Sequence, residues 1–320
     1  MYYIGIDLGG TNIAAGIVDE DMNIVLKDSI PTKLPRSADL IIDDMAYLTK
    51  ELLKKASISM DQVKWIGIGT PGTANFDTGI IEYSNNLRFN NVPMVKMMEE
   101  RLGKKVFVEN DANAAAYGEF KAGAAKGANS AVAITLGTGI GGGVIINKRI
   151  LHGFNFAGGE LGHTVIEVDG RECTCGRRGC WEAYASATGL INLTKESMKE
   201  HKDSIMWEIA GGSLDNVNGK TAFDAMRKND EAGRQVVDLY IKYLGCGLIN
   251  MINIFQPEVL CIGGGICKEG DNLIKPLEKI IEKERYNKNA EKQTKICVAK
   301  LGNDAGIIGA AFVGELYNAQ

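Results

Sequence analysis

Tyr3-Ile4-Gly5-Ile6-Asp7-Leu8-Gly9-Gly10-Thr11-Asn12-Ile13-Ala14-Ala15-Gly16-Ile17-Val18 opens the chain and reads as an apolar strand, a glycine turn and a second apolar strand. The pattern returns 128 residues later: Ala131–Leu136, the turn Gly137-Thr138-Gly139, further glycines, then Val144–Ile146. In this register Thr135 falls on Asp7 and Gly137 on Gly9. A duplicated strand–turn–strand unit predicts two domains of related topology facing each other.

Working outward, the pattern predicts a helix over Ala38–Ala56, a strand over Val63–Ile68 and a loop Thr70-Pro71-Gly72-Thr73. A helix over Val95–Leu102, a strand over Lys105–Val108 and a helix beginning at Asp111 follow. The second half reads as more helical, with helices over Ala187–Lys202, Thr221–Asn229 and Glu231–Phe255. A strand at Glu258–Ile262, the turn Gly263-Gly264-Gly265 and a helix at Asp271–Arg285 come next. A strand at Lys295–Ala299 and one final helix at Ala305–Tyr317 end the chain. Strands alternating with helices imply an α/β fold with mostly parallel sheets, each opened by an antiparallel hairpin.

Composition narrows the class. The chain has 320 residues, 45% hydrophobic and 24% charged, with a net charge of −4, as in an ordinary soluble cytoplasmic protein of two domains. The weakly acidic balance gives no footing for nucleic acid or an anionic membrane. The N-terminus lacks a basic segment followed by an apolar one, so no secretory leader is expected. The longest apolar tract, Tyr243 to Phe255, is interrupted by Asn250 and Asn253 and reads as a buried helix.

His163, Cys173, Cys175 and Cys180 form a Cys₃His set in a loop rich in Gly and Arg. Three thiolates and an imidazole complete a tetrahedral Zn²⁺ shell, leaving no position for water, so the metal is expected to be structural. Its flanks matter for function. Glu160 precedes the His by three residues and Glu182 follows the last Cys by two, so ordering the loop also orders two hydrogen-bonding carboxylates. Cys246, Cys261, Cys267 and Cys297 stand apart in apolar stretches and read as small buried hydrophobes.

The glycine turns at 9–11, 137–139 and 263–265 end strands, where backbone N–H groups can converge on a phosphate. Two familiar motifs fail on context. Gly137-x-Gly139-x-x-Gly142 matches the dinucleotide fingerprint but runs into a predicted strand. Gly219-Lys220-Thr221 resembles the end of a Walker A loop, yet Leu214 stands where its first Gly belongs. The strand-to-helix junction Glu109-Asn110-Asp111 carries two readings. Asn and Asp are the preferred helix N-caps, and such junctions also present catalytic groups, here a carboxylate able to orient and deprotonate an alcohol.

Taken in order, Asp7-Leu8-Gly9-Gly10-Thr11-Asn12, Gly69-Thr70-Pro71-Gly72, Glu109-Asn110-Asp111-Ala112-Asn113, Leu136 to Gly143, Glu160-Leu161-Gly162-His163 with the Cys cluster and Glu182, and Pro257 to Gly265 resemble the ROK family of sugar kinases and repressors. The similarity is greatest to its bacterial glucokinases. It implies the two-lobed actin-like ATPase (ribonuclease H-like) fold, with mixed sheets flanked by helices and nucleotide and sugar in the interdomain cleft. The implied lobes are residues 1–114 plus 305–320, and residues 115–304 with the zinc loop. The implied reaction is ATP- and Mg²⁺-dependent phosphorylation of a hexose 6-hydroxyl, with glucose foremost. N-acetylmannosamine, N-acetylglucosamine, allose and fructose are alternatives, and polyphosphate is a possible donor.

By the same resemblance Asp111 matches the catalytic base, and Gly72, Asn86, Asn110, Asp111, Glu160, His163 and Glu182 match substrate-binding positions. Asp7, Gly9, Gly10, Thr11, Asn12, Thr138, Gly139, Gly264 and Gly265 match the ATP-side loops, and His163, Cys173, Cys175 and Cys180 the zinc ligands. A cytoplasmic homodimer is implied. The family's sugar-sensing repressors carry a helix-turn-helix domain in front; here the first strand begins at Tyr3, so the kinase reading is expected.

Overall fold

The expected N-terminal hairpin is formed. In the computed structural model, which describes residues 1–318, β1 (Tyr2–Leu8) runs antiparallel to β2 (Asn12–Asp19), with Asp7 opposite Ala14 and Leu8 opposite Ile13. A strand not anticipated from the sequence, β3 (Ile24–Pro31), pairs antiparallel with β2. Helix α1 (Ala38–Ala56) buries Ile41, Ile42, Met45, Leu48 and Leu52, a three-and-four spacing that places one apolar stripe on the core. Strand β4 (Val63–Thr70) lies parallel to β1. Short strands β5 (Thr73–Asn75), β6 (Ile80–Ser84) and β7 (Phe89–Val92) form a separate antiparallel sheet. Helix α2 (Met94–Leu102) ends at Gly103, β8 (Val106–Asn110) lies parallel to β4, and α3 (Asp111–Lys121) follows without a gap.

Next come β9 (Ala131–Leu136), β10 (Ile140–Ile146) and β11 (Arg149–Ile150). Helices α4 (Glu182–Ala185), α5 (Ala187–Glu200), α6 (Met206–Ile209), α7 (Thr221–Arg227) and α8 (Glu231–Phe255) follow. The chain ends with β12 (Val259–Gly264), α9 (Asp271–Glu284), β13 (Lys295–Val298), α10 (Asp304–Phe312) and α11 (Gly314–Asn318). The single final helix expected from the sequence is thus two, parted at Val313. The first large sheet has the order β3-β2-β1-β4-β8 and the second β11-β10-β9-β12-β13. Each reads third, second, first, fourth, fifth along its own strands, so the duplication seen in the turns extends to strand order.

The chain divides into two compact units. One comprises Met1–Ala133, Gly143–Gly159 and the segment from Ala299 on; the other comprises Ile134–Gly142 and Glu160–Val298. Residue 114, the expected lobe boundary, lies within α3 of the first unit. That unit is cored by Ile4, Ile6, Leu8, Ile13, Ile17, Ile66, Ile68 and Val108 against the apolar stripe of α1. Each such side chain contributes roughly 1.5–3 kcal/mol on burial. Helix α10 packs against β1, β4 and α3, and every residue from Ala305 to Phe312 is buried. A Cβ on Gly309 would stand 1.7 Å from the Ala114 carbonyl oxygen, so this approach requires glycine.

The second unit is built on α8, which buries Tyr240, Leu244, Leu248, Met251 and Ile252. Its ends are those read from the sequence: Asp230 caps the start by accepting the Gly233 N–H, and left-handed Gln256 ends it. Among the described residues no helix is long and apolar enough to cross a membrane.

Candidate active site and metal-ligand cluster

In the first unit the expected residues gather at the carboxyl ends of parallel strands β1, β4 and β8. Asp7 pairs in register with Gly69, and Thr70 with Asn110. This is where α/β sheets present their ligand-binding groups. Asn110 is the N-cap of α3: its Oδ1 accepts the N–H groups of Ala112 at 2.9 Å and Asn113 at 3.1 Å. Its Nδ2 donates to the Gly72 carbonyl at 3.1 Å, tying the loop after β4 to the helix. Gly72 has φ +102°, and a Cβ there would meet the Tyr83 carbonyl oxygen at 2.1 Å. Capping therefore belongs to Asn110, and Asp111 occupies the first helical position. Its Oδ1 accepts the Ala112 N–H at 2.8 Å.

Asp7 lies close enough to Asp111 for the two carboxylates to interact. Burial first, and the Asp111 charge second, push the Asp7 carboxyl up to about 6. Asp7, Gly9 and Asn12 line a pocket of about 520 Å³ with Lys27, Asp28 and Asn303, and Lys27 forms an ion pair with Asp304 at its wall. Gly10 and Thr11 do not line it. Gly10 instead faces Asn86, whose Cβ would lie 4.0 Å from a Cβ at Gly10.

The second unit holds the remaining expected residues. Thr138 and Gly265 line a pocket of about 570 Å³ with Leu136, Gly137, Asn218 and Lys220. Sequence reasoning missed Asn218, Lys220, Lys268 and Glu269 here. A short helical turn, Leu214–Asn216, precedes Gly219-Lys220 where a Walker loop needs a strand, so rejection of that motif stands although Lys220 reaches the pocket. The turn Gly137-Thr138-Gly139 is fixed by Ala187 N–H donating to the Gly137 carbonyl at 2.9 Å and Thr188 Oγ1 to that of Thr138 at 2.8 Å. Strand β10 follows directly, as the rejection of a dinucleotide fingerprint required.

Gly139 and Gly264 do not line this pocket. Gly139 faces Glu182, which stands at the start of α4. Glu182 Oε2 accepts the Ile140 N–H at 2.9 Å, and Oε1 accepts the Thr174 hydroxyl at 3.3 Å.

The four expected metal ligands converge. Their donor atoms lie within 4.8 Å of one another. Cys175 Sγ is 3.6 Å from Cys180 Sγ, and Cys173 Sγ is 3.6 Å from His163 Nδ1. Tetrahedral Zn²⁺ with sulfur at about 2.3 Å needs donor separations of about 3.8 Å, so the set fits the ion. Burial and the adjacent thiols of Cys175 and Cys173 push the Cys180 thiol up to about 12, a cost of clustering that a cation would offset. The loop is braced by its own hairpin, with Cys173 N–H donating to the Arg177 carbonyl at 2.9 Å. It is anchored by fully buried Trp181, whose Nε1 donates to the Tyr243 carbonyl at 3.0 Å. Glu160 immediately precedes the turn Leu161–His163, makes no side-chain capping bond to it, and is exposed.

A sequence model of the ROK family matches residues 3–315. The chain is 39% identical to the glucokinase of Thermotoga maritima over 313 residues, 97% of this chain and 96% of that protein. It is 38% identical to the glucokinase of Halalkalibacterium halodurans, covering 98% of this chain and 94% of that one. Among solved structures it resembles a ROK family glucokinase from Streptomyces griseus in complex with glucose and AMPPNP. That match has a TM-score of 0.80 and 32% identity, over 97% of this chain and 98% of that chain.

Proposed function

The chain belongs to the ROK family, with the actin-like ATPase fold, and we propose that it is an ATP-dependent hexokinase-type phosphotransferase that converts glucose to glucose 6-phosphate. The observation that carries this reading is similarity along nearly the whole chain to a kinase solved with glucose and a nucleotide analogue.

In this reading Asp111 is the general base. Its place at the first position of α3 gives it a fixed backbone, and Asn110 supplies the cap; in this role the Asp111 carboxylate holds the attacking hydroxyl in line with the γ-phosphate and takes its proton. Asn110 and Gly72, joined by a hydrogen bond, and Asn86 contribute to the sugar side. Glu160, His163 and Glu182 read vicinal hydroxyls, His163 through Nε2 because Nδ1 faces the thiols. Asp7, Gly9, Gly10, Thr11 and Asn12 serve the phosphates in the first unit, and Thr138, Gly139, Gly264 and Gly265 the nucleotide in the second. Mg²⁺, when bound, supplies charge neutralisation on the phosphates, and Asp7 is the carboxylate we assign to its neighbourhood. Zn²⁺ held by His163, Cys173, Cys175 and Cys180 has a structural role. We assign the active form as a homodimer, which sedimentation velocity tests.

The deciding experiment is a coupled ADP-release assay over glucose, N-acetylmannosamine, N-acetylglucosamine, allose and fructose, repeated with polyphosphate as donor. Glucose with ATP is expected to give the highest kcat/KM. A higher value for N-acetylmannosamine would overturn the substrate assignment and leave the family membership intact.

A further inference from the structure

Glu109 is 2% exposed, and both of its carboxylate oxygens are engaged. Its Oε1 accepts the Asn110 N–H at 2.8 Å and the Asn113 side-chain amide at 3.1 Å. Those two residues flank Asp111 in the first turn of α3. Its Oε2 meets His152 Nε2 at 2.7 Å and the Tyr317 hydroxyl at 3.5 Å. A buried carboxylate with four partners holds their relative positions far more tightly than a solvated one.

His152 belongs to the stretch after β11, 43 residues away in the chain. Its carbonyl accepts the Gly158 N–H at 2.8 Å, closing the segment 152–158 into a ring of backbone, and Glu160 comes two residues later in the chain. Its imidazole packs on Phe76 at 4.5 Å between ring centroids. Phe76 also contacts Phe156 at 4.8 Å and Tyr317 at 4.9 Å. The polar pair is therefore walled by aromatic rings, which strengthens it relative to a pair in water.

We infer that His152 and Glu109 are positioning residues for phosphoryl transfer: their contact locks the backbone that carries Asp111 to the closed segment 152–158. The inference rests on the kinase reading. Neither side chain touches the reacting atoms. Glu109 acts through the Asn110 N–H and the Asn113 amide, and His152 fixes which way the Glu109 carboxylate faces. Displacement of a base by about 1 Å costs up to about a hundredfold in rate.

The test compares His152→Ala with His152→Gln, whose side-chain N–H can reach the place of Nε2. In His152→Ala, kcat for glucose should fall roughly 10- to 100-fold while the KM for ATP is unchanged. Added imidazole should restore kcat, and His152→Gln should retain most of it. If His152→Ala does not fold, His152→Asn, too short to reach Glu109, replaces it with the same readouts. A kcat within about twofold of wild type overturns the inference. So does a loss that follows the melting temperature and answers neither to imidazole nor to Gln. A wild-type chain that phosphorylates no hexose defeats the kinase reading itself. An active wild type beside an unaffected Ala variant defeats only the positioning role.

Discussion

Glu182 Oε2 occupies the space that a Cβ on Gly139 would need, 2.2 Å from that position. The absence of a side chain at 139 therefore serves the carboxylate directly, whatever else the turn binds. Gly139→Ala should push Glu182 off the Ile140 N–H and raise the glucose KM by about tenfold, the equivalent of one good hydrogen bond. The melting temperature should drop by only a few degrees. An unchanged KM in steady-state kinetics would separate Glu182 from sugar recognition.

Asp111→Asn removes the carboxylate proposed as proton acceptor and leaves the cap, which is Asn110, in place. Stability should change by less than about 1 kcal/mol. The kcat should fall by roughly 10²–10⁴ with little change in glucose affinity. Retention of more than about a tenth of the wild-type kcat would remove Asp111 from proton transfer.

Purified protein should contain one Zn²⁺ per chain by elemental analysis, given the fit of the four donors. Structural zinc contributes on the order of 10 kcal/mol to local folding. Cys175→Ser, or prolonged chelation, should therefore lower the melting temperature and raise the glucose KM as Glu182 loses its support. Zinc-free protein with full activity would contradict the assignment.

The buried Asp7 carboxyl gives the nucleotide-free protein a distinctive pH response. Its pKa is about 6 in the folded chain against 3.8 for an ordinary Asp. Between those values the unfolded chain has released a proton that the folded chain still holds, so stability falls as pH rises from about 4 to about 6 and then levels. The full effect approaches about 3 kcal/mol. Asp7→Asn should flatten the melting temperature across that range and raise it at neutral pH. Should the variant keep the wild-type slope, another group is responsible.

The helices with strong periodicity and marked ends were legible in the sequence. Helix α8 has the range read from the sequence, Glu231–Phe255, and its ends are set locally, by the Asp230 cap and by left-handed Gln256. Both hairpins were legible because glycine turns interrupt apolar runs. Strand β3 was not: its Lys27, Asp28 and Ser29 are exposed, and only pairing with β2 makes it a strand. The sheet β5-β6-β7 was equally hidden, since Phe89-Asn90-Asn91-Val92 has no period and Asn91 even takes φ +52°. The break between α10 and α11 falls at Val313, just before Gly314, where a Cβ would press within 2.7 Å of both Phe107 and Trp65, residues remote in sequence. The same limit applied at the site. The ligand set for a metal is a local spacing and could be read directly. The Gly139–Glu182 approach and the His152–Glu109 contact join positions 43 apart, and no local pattern announces them.

Helix α10 carries a consequence for biosynthesis. It is wedged against β1, β4 and α3, the elements that bear Asp7 and Asp111, yet it is made only after the whole of the second unit. At 5–20 residues per second, roughly 10–40 s separate the emergence of Asp111 from that of Ala305. Throughout that interval the apolar face meant for α10 has no partner within the nascent chain. The first unit is thus completed only after the second has been synthesised, and a chain stalled before Ala305 should be a client for chaperones and not a slow enzyme.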